Sequence, residues 1–218
     1  MRAPRQARSQ ETLGRFVDAT RRLLQDRSFD DITVHDIVAA AGRTVGSFYA
    51  RFDDKDAVLK VLVDQLDERA VDAVRAFCDP VRWEGATLED FVAESVRLNV
   101  QAYRGSAPLF RAALLASVRD PAFRRRRLET LRACAELQKQ FVLSRADECD
   151  HDDPARVSDQ MFELVVAVLD HELLLGRFTI TTSHPTSTWS RSSPTCACTR
   201  CGWRPGGPGR DAVGILRR

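Results

Sequence analysis

The chain has 218 residues, enough for one large domain or two small ones, and 44 % of them are hydrophobic, enough to build a sizeable core. Its formal net charge is only +2, which excludes bulk charge as a means of gripping nucleic acid and leaves local basic surface as the alternative. No apolar run approaches the roughly 20 residues of a membrane span, and Met1 to Ser9 has no apolar segment behind its arginines, so neither a membrane location nor a secretory signal is expected. A cytoplasmic location with reduced thiols follows as the expectation, and Cys78, Cys134 and Cys149 then read as small buried hydrophobes.

In chain order, Leu13, Phe16, Val17, Thr20, Leu23 and Leu24 recur at three- and four-residue steps, predicting a helix from Ser9 to Asp26. Thr33 and Asp36 have capping-box spacing and open a second helix that buries Ile37 and Val38 and ends near Ala41-Gly42. A very short helix follows from Thr44 to about Ala50. Asp53 and Asp56 frame the start of a long fourth helix, with the stripe Leu59, Leu62, Val63, Leu66, Ala70, Ala73, Val74 and Phe77.

Beyond Pro80 only helices are predicted. Thr87 and Asp90 form a second capping-box spacing before the stripe Leu88, Phe91, Ser95, Leu98, Asn99 and Ala102. Ser106 opens a helix to about Arg119, Asp120-Pro121 opens the next, and Asp153-Pro154 opens one that runs to Gly176. With no alternating strand pattern before that point, the fold class is all-α. From about Ile180 the composition turns to Ser, Thr, Pro, Gly, Arg and Cys without helical period, and an irregular tail is expected.

Two short helices joined by a glycine-containing turn are the core of a helix-turn-helix. Here the turn is Ala41-Gly42-Arg43, and Gly42 supplies the positive φ. Thr44 to Ser47 then face base edges in the major groove. Gly46 and Ser47 are small enough for close backbone approach, and Val45 suits a thymine methyl group.

The series Thr33-(x)3-Ile37-(x)3-Ala41-Gly42-(x)3-Gly46-Ser47-Phe48-Tyr49-(x)2-Phe52-(x)2-Lys55-(x)3-Leu59 resembles the DNA-binding signature of TetR-type regulators. The likeness is detailed over the first third of the chain. It implies an N-terminal three-helix DNA-binding domain, residues 1–56, and a helical ligand-binding and dimerisation domain, residues 57–180. The remaining 181–218 form the tail. It further implies phosphate contacts from Tyr49 and Lys55, backbone contacts from Thr33 and Thr44, and an interior place for Phe48 and Phe52. Two positions depart from the pattern. Arg51 stands where His is common and is expected still to reach a phosphate. Arg43 stands where a small apolar residue is usual, and it either reads guanine or is a solvated turn residue. Arg2, Arg5 and Arg8 form either an arm for the phosphate backbone or minor groove or a frayed terminus.

The resemblance gives the later helices two tasks, a ligand pocket and a dimer interface. Ser95 and Asn99 lie on an apolar stripe, so they face either a ligand cavity or a hydrogen-bond partner in the protein. Tyr103, Phe110, Leu114 and Phe141 are either cavity walls or plain core. Arg124 to Arg127 reads as a solvated basic face. In the helix from Asp153 to Gly176, Val157, Met161, Leu164, Val165, Val168 and Leu169 share one side, while Phe162, Val166, Leu173 and Leu174 widen the apolar surface. A helix apolar over so much of its circumference is covered on more than one side, and a second subunit supplies the second cover. Met161, Phe162, Val165, Val168 and Leu169 are the interface candidates.

The implied protein is a ligand-responsive repressor acting as a homodimer on a palindromic double-stranded DNA operator, with an unidentified small-molecule effector and no cofactor. The family ordinarily ends in one more amphipathic helix, which this tail does not show. Reading a GC-rich back-translation of Pro185 to Cys198 two bases later permits Asp-Leu-Asp-Leu-Val-Ala-Glu-Leu-Thr-Asp-Met-Cys-Val, a helical pattern. The tail is therefore a candidate frameshift product, and a dimer-impaired or inactive regulator is the alternative reading. Cys196, Cys198 and Cys201 with His184 are too irregular in spacing for a zinc site. His171-Glu172 opens like a zinc-protease motif, but position 175 is Leu. No phosphate loop or nucleophile elbow is present, so an enzyme is not expected.

Overall fold

The computed structural model describes residues 5–176, and among them every regular element is helical. Eight α-helices follow one another: α1 (Arg5–Leu23), α2 (Val34–Ala41), α3 (Val45–Tyr49), α4 (Lys55–Phe77), α5 (Leu88–Gly105), α6 (Ala107–Arg119), α7 (Pro121–Leu143) and α8 (Pro154–Leu175). Short 3-10 turns lie at Pro80–Trp83 and Ala146–Glu148. No described helix is long and apolar enough to cross a membrane.

The boundaries follow local chemistry. Thr33 caps α2 by accepting the Asp36 N–H at 3.2 Å, and Asp36 Oδ2 accepts the Thr33 N–H at 2.7 Å, which completes the capping box. The Thr33 hydroxyl, which donates to Asp36 Oδ2 at 2.6 Å, then the Thr33 N–H and Arg27, hold the Asp36 carboxyl well below the usual carboxylate range. Gly42 ends α2 at φ 63° and ψ 43°, the left-handed conformation, and the following Arg43 N–H closes back on the Val38 carbonyl at 2.9 Å. Thr87 and Asp90 repeat the capping box at α5.

One helix differs from expectation in its boundaries. Helix α1 begins at Arg5 and stops at Leu23, because the amides of Gln25 and Asp26 bond three residues back and tighten the chain into a turn. Helix α4 starts between Asp53 and Asp56, as expected, and Asp54 caps it, accepting the Ala57 N–H at 2.8 Å. Ser106 precedes α6 without a side-chain capping bond. The expected irregular tail, its frame and its Cys residues lie outside the described residues, as does Arg2. Arg5 and Arg8 fall within α1.

The core divides into four clusters. The largest joins Phe16, Val17 and Ala19 of α1, Ile37 of α2, Phe48 of α3, Phe52, and Val58, Leu59 and Leu62 of α4. Phe48 and Phe52 are buried there, as the family likeness implied. Helix α6 belongs to the same cluster through Leu109, Ala112 and Ala113. The core of the first three helices is thus completed by a helix some 50 residues downstream of α4's start. At the far end Phe77, Trp83, Phe91 and Phe141 pack together, with Phe91 and Phe141 stacked at 4.1 Å and the Trp83 indole N–H donating to the Phe77 carbonyl at 2.6 Å. Cys134 is buried, while Cys78 and Cys149 are half-buried. All three are free thiols, and burial pushes Cys78 and Cys134 up to about 11.

Candidate nucleic-acid interface

Helix α3 is only five residues long, so its own hydrogen bonds cannot hold it. It is fixed from both sides. Thr44 Oγ1 accepts the Ser47 N–H at 3.2 Å, and Ser47 Oγ returns a bond to the Thr44 carbonyl at 2.7 Å. Phe48 anchors the inner face, its ring 5.3 Å from both Phe16 and Phe52. The outer face presents Thr44, Gly46 and Tyr49, the last 55 % exposed with its ring edge-on to Phe48 at 5.4 Å. A Cβ at Gly46 would meet nothing within 4 Å inside the protein, so the space this glycine leaves opens outward.

The remaining candidates sit around this helix in different ways. Thr33 is exposed at the start of α2. Arg43 is half-buried and its Nη1 donates to the Gly42 carbonyl at 3.2 Å, while Arg51 Nη1 donates to the Ser47 carbonyl at 2.9 Å. Val45, expected to offer a methyl contact to thymine, is half-buried and packs against the first core cluster. Lys55 is engaged internally. Its Nζ donates to the carbonyls of Phe29 at 2.9 Å and Asp30 at 3.2 Å and lies 4.7 Å from the centre of the Phe29 ring. The ammonium therefore fastens the α1–α2 loop to the start of α4.

The expected pocket residues do not gather in one place. Ser95 is buried and donates to Gln138 Oε1 at 2.6 Å, and Asn99 Nδ2 donates to the Ser95 carbonyl at 2.9 Å, so both have partners in the protein. Tyr103 and Phe110 stack at 4.3 Å beside Leu169, Leu114 is half-buried, and Phe141 belongs to the distant aromatic cluster. The basic run expected to be solvated divides: Arg124, Arg125 and Arg126 are exposed, but Arg127 is only 7 % exposed. Its Nη2 reaches Asp170 Oδ1 at 2.9 Å and the Tyr103 oxygen at 3.1 Å, and the Tyr103 hydroxyl donates to the same Asp170 oxygen at 2.9 Å. Burial alone lowers the affinity of Arg127 for its proton, but Tyr103 and Asp170 outweigh that and the net shift is upward. Burial likewise raises the Tyr103 phenol. The sequence signal for this network was present: Arg127, Leu131, Cys134, Gln138 and Phe141 follow one another at steps of four and three, the inward stripe of α7.

On α8, Phe162 and Leu169, expected at a dimer interface, face the chain's own core with Val166. Val157, Leu164, Val168 and Leu175 form the outward apolar face, with Leu164 64 % exposed. Met161 and Val165 are half-buried between the two. No group of three metal-binding side chains occurs among the described residues.

Comparison with known proteins locates the recognisable part of the chain. Residues 16–62 match the model for bacterial regulatory proteins of the tetR family. The HTH-type transcriptional regulator YwcC of Bacillus subtilis (strain 168) is 40 % identical over 60 residues, which are 28 % of this chain and 27 % of that protein. Among solved structures, GusR of Salmonella enterica is similar with a TM-score of 0.57 at 18 % identity, covering 75 % of this chain and 85 % of that one. A TetR-family transcriptional regulator from Pectobacterium atrosepticum gives 0.56 at 20 % identity, covering 78 % and 86 %. The likeness in sequence is thus concentrated in α1 to α4, while the likeness in fold extends through the later helices.

Proposed function

We propose that the chain, whose residues 16–62 match the tetR family model, is a sequence-specific DNA-binding transcriptional regulator of that family acting as a homodimer, most simply a repressor released by a small molecule. The observation that carries the reading is α3: a single turn and a half of helix, rigidly held from behind, with Thr44, Gly46 and Tyr49 presented outward. Its N-terminal residues enter the major groove, and Thr33, Tyr49 and Arg51 take the flanking phosphates. Arg43 adds base readout from the turn. Lys55 spends two of its three N–H donors on the carbonyls of Phe29 and Asp30 and offers the third to a phosphate. Residues 1–56 read DNA, and 57–180 carry assembly and sensing.

The exposed apolar face of α8 supports assembly, because Val157, Leu164, Val168 and Leu175 recur at helical spacing and have no cover within the described chain. A two-fold pair built on it sets two copies of α3 about 34–36 Å apart, one turn of DNA, and selects a palindromic operator. An effector acts by binding the DNA-competent and DNA-released states unequally.

The test is fluorescence anisotropy with duplex from upstream of the protein's own gene, over a salt series. Preference for that duplex over unrelated DNA supports the reading. Equal, strongly salt-dependent affinity for all duplexes would reduce the protein to a non-specific binder and refute it.

A further inference from the structure

A groove of about 430 Å3 runs between the α1–α2 loop and α6, at the junction of the DNA-binding helices and the rest of the protein. Leu24 and Phe29 form one wall, Ala112 and Leu115 of α6 the other, and Leu173 near the end of α8 closes one end. Its volume is that of a small-molecule site; Leu24, Phe29 and Ala112 in its walls are at most 5 % exposed, and Pro108, Leu115 and Leu173 supply accessible apolar surface. Three arginines border it. Arg119 is paired with Asp30 at 3.1 Å and Arg27 with Asp36 at 3.1 Å, so both meet carboxylates already. Arg111 does not. Its Nε donates to the Leu173 carbonyl at 2.8 Å and its Nη2 donates to the same oxygen, so a two-pronged donor is spent on one neutral acceptor.

A guanidinium fork matches a carboxylate better than a single carbonyl oxygen. We propose that this groove binds a small amphipathic monocarboxylate, with its apolar chain along Pro108, Leu115 and Leu173 and its carboxylate on Arg111 in place of the Leu173 carbonyl. From Arg111 to Arg119 the α6 wall runs about 12 Å, which suits an extended chain of medium length. Asp26, Asp30 and Glu172 also border the groove and equal the three arginines in number, so they oppose any negative charge and confine the carboxylate to the Arg111 fork. One wall belongs to the DNA-binding helices and the other to helices outside them, so occupancy fixes the spacing between the two. That regulatory consequence rests on the proposed function, whereas the binding itself does not.

The experiment is calorimetric titration of the full-length protein with decanoate and with 1-decanol, in the absence of DNA. The expected result is that decanoate binds the parent protein, that Arg111→Gln weakens decanoate at least tenfold while changing 1-decanol little, and that Arg111→Lys recovers part of the loss. Leu115→Trp, which fills the groove from a partly exposed position, abolishes binding of both, with circular dichroism confirming that the variant is folded. No binding to the parent, equal binding to all variants, or a crystal grown with decanoate in which another stretch of protein fills the groove would each overturn the proposal. Decanoate binding by a protein that shows no operator preference would leave the site standing and remove only its regulatory role.

Discussion

Removing Arg127 leaves Asp170 charged and half-starved of donors in the middle of a four-helix contact. Arg127 is 7 % exposed and the Asp170 side chain 23 %, and the pair ties α7 to α8 while Tyr103 brings in α5 and stacks on Phe110 of α6. Breaking a fully buried ion pair by deleting one partner costs roughly 3–5 kcal/mol. Asp170 retains the Tyr103 hydroxyl and some water, so Arg127→Met is expected to cost about 2–3 kcal/mol. Asp170→Leu strands the guanidinium against the Phe110 ring, whose centre lies 5.9 Å from its carbon, and is expected to cost about 2 kcal/mol or more. The double variant Arg127→Met/Asp170→Leu removes both charges but leaves the buried Tyr103 hydroxyl without either partner, so it should still cost about 1–2 kcal/mol, well under the sum of the singles. The coupling is thus about 3 kcal/mol. Urea denaturation followed by circular dichroism measures all four corners, at one fixed protein concentration because assembly adds to apparent stability. A double variant as unstable as the sum of the singles would refute the account, since the two side chains would then act independently.

Lys55→Ala releases the α1–α2 loop and should cost about 1 kcal/mol, measured by urea midpoint, while lowering the salt slope of operator binding by about one per protomer. A lower midpoint with an unchanged slope would make Lys55 a purely internal fastener. Burial pushes Asp67 from its ordinary 3.8 up to about 6, against the opposing effects of Thr130 and Arg127. A folded-state value above the unfolded one gives stability that is complete below about pH 4 and is lost as the pH rises through about 6. Asp67→Asn should therefore exceed the parent in stability at pH 7.5 by on the order of 1 kcal/mol and match it below pH 4, and a constant difference across that range would contradict the assignment. Leu164→Glu places a charge on the outward face of α8 and should shift the mass in solution toward the 24.5 kDa of one chain, whereas an unchanged assembly would move the interface elsewhere. Arg43→Ala should flatten base preference at one operator position, and a uniform loss over all sequences would make Arg43 a backbone contact.

What could be read from the sequence was whatever local chemistry decides. The Thr33–Asp36 and Thr87–Asp90 boxes, the left-handed turn at Gly42 and the proline-led starts of α7 and α8 each depend on residues within one turn of each other. Tertiary pairings were not legible in that way. The Lys55 ammonium finds carbonyls 25 and 26 residues earlier, and Ser95 finds its acceptor 43 residues later on α7. Neither distance leaves a mark in spacing. Arg127 sits between the two cases. Its charge suggested a surface, and only the full inward stripe of α7 shows that it points the other way. The division of α8 into an inner face with Phe162 and Leu169 and an outer one with Leu164 and Val168 needed the neighbours, because both faces are apolar.

The presence of Leu109, Ala112 and Ala113 in the same cluster as Phe16 and Phe48 has a consequence for synthesis on the ribosome. A nascent chain that has delivered only its first four helices lacks the three α6 residues that complete this cluster. The unit built on the first three helices is therefore finished late, after α6 has cleared the exit tunnel, although it is encoded first. Over that interval the growing chain carries an incomplete apolar core, and a ribosome paused there would hold a species prone to aggregate or to be captured by a chaperone.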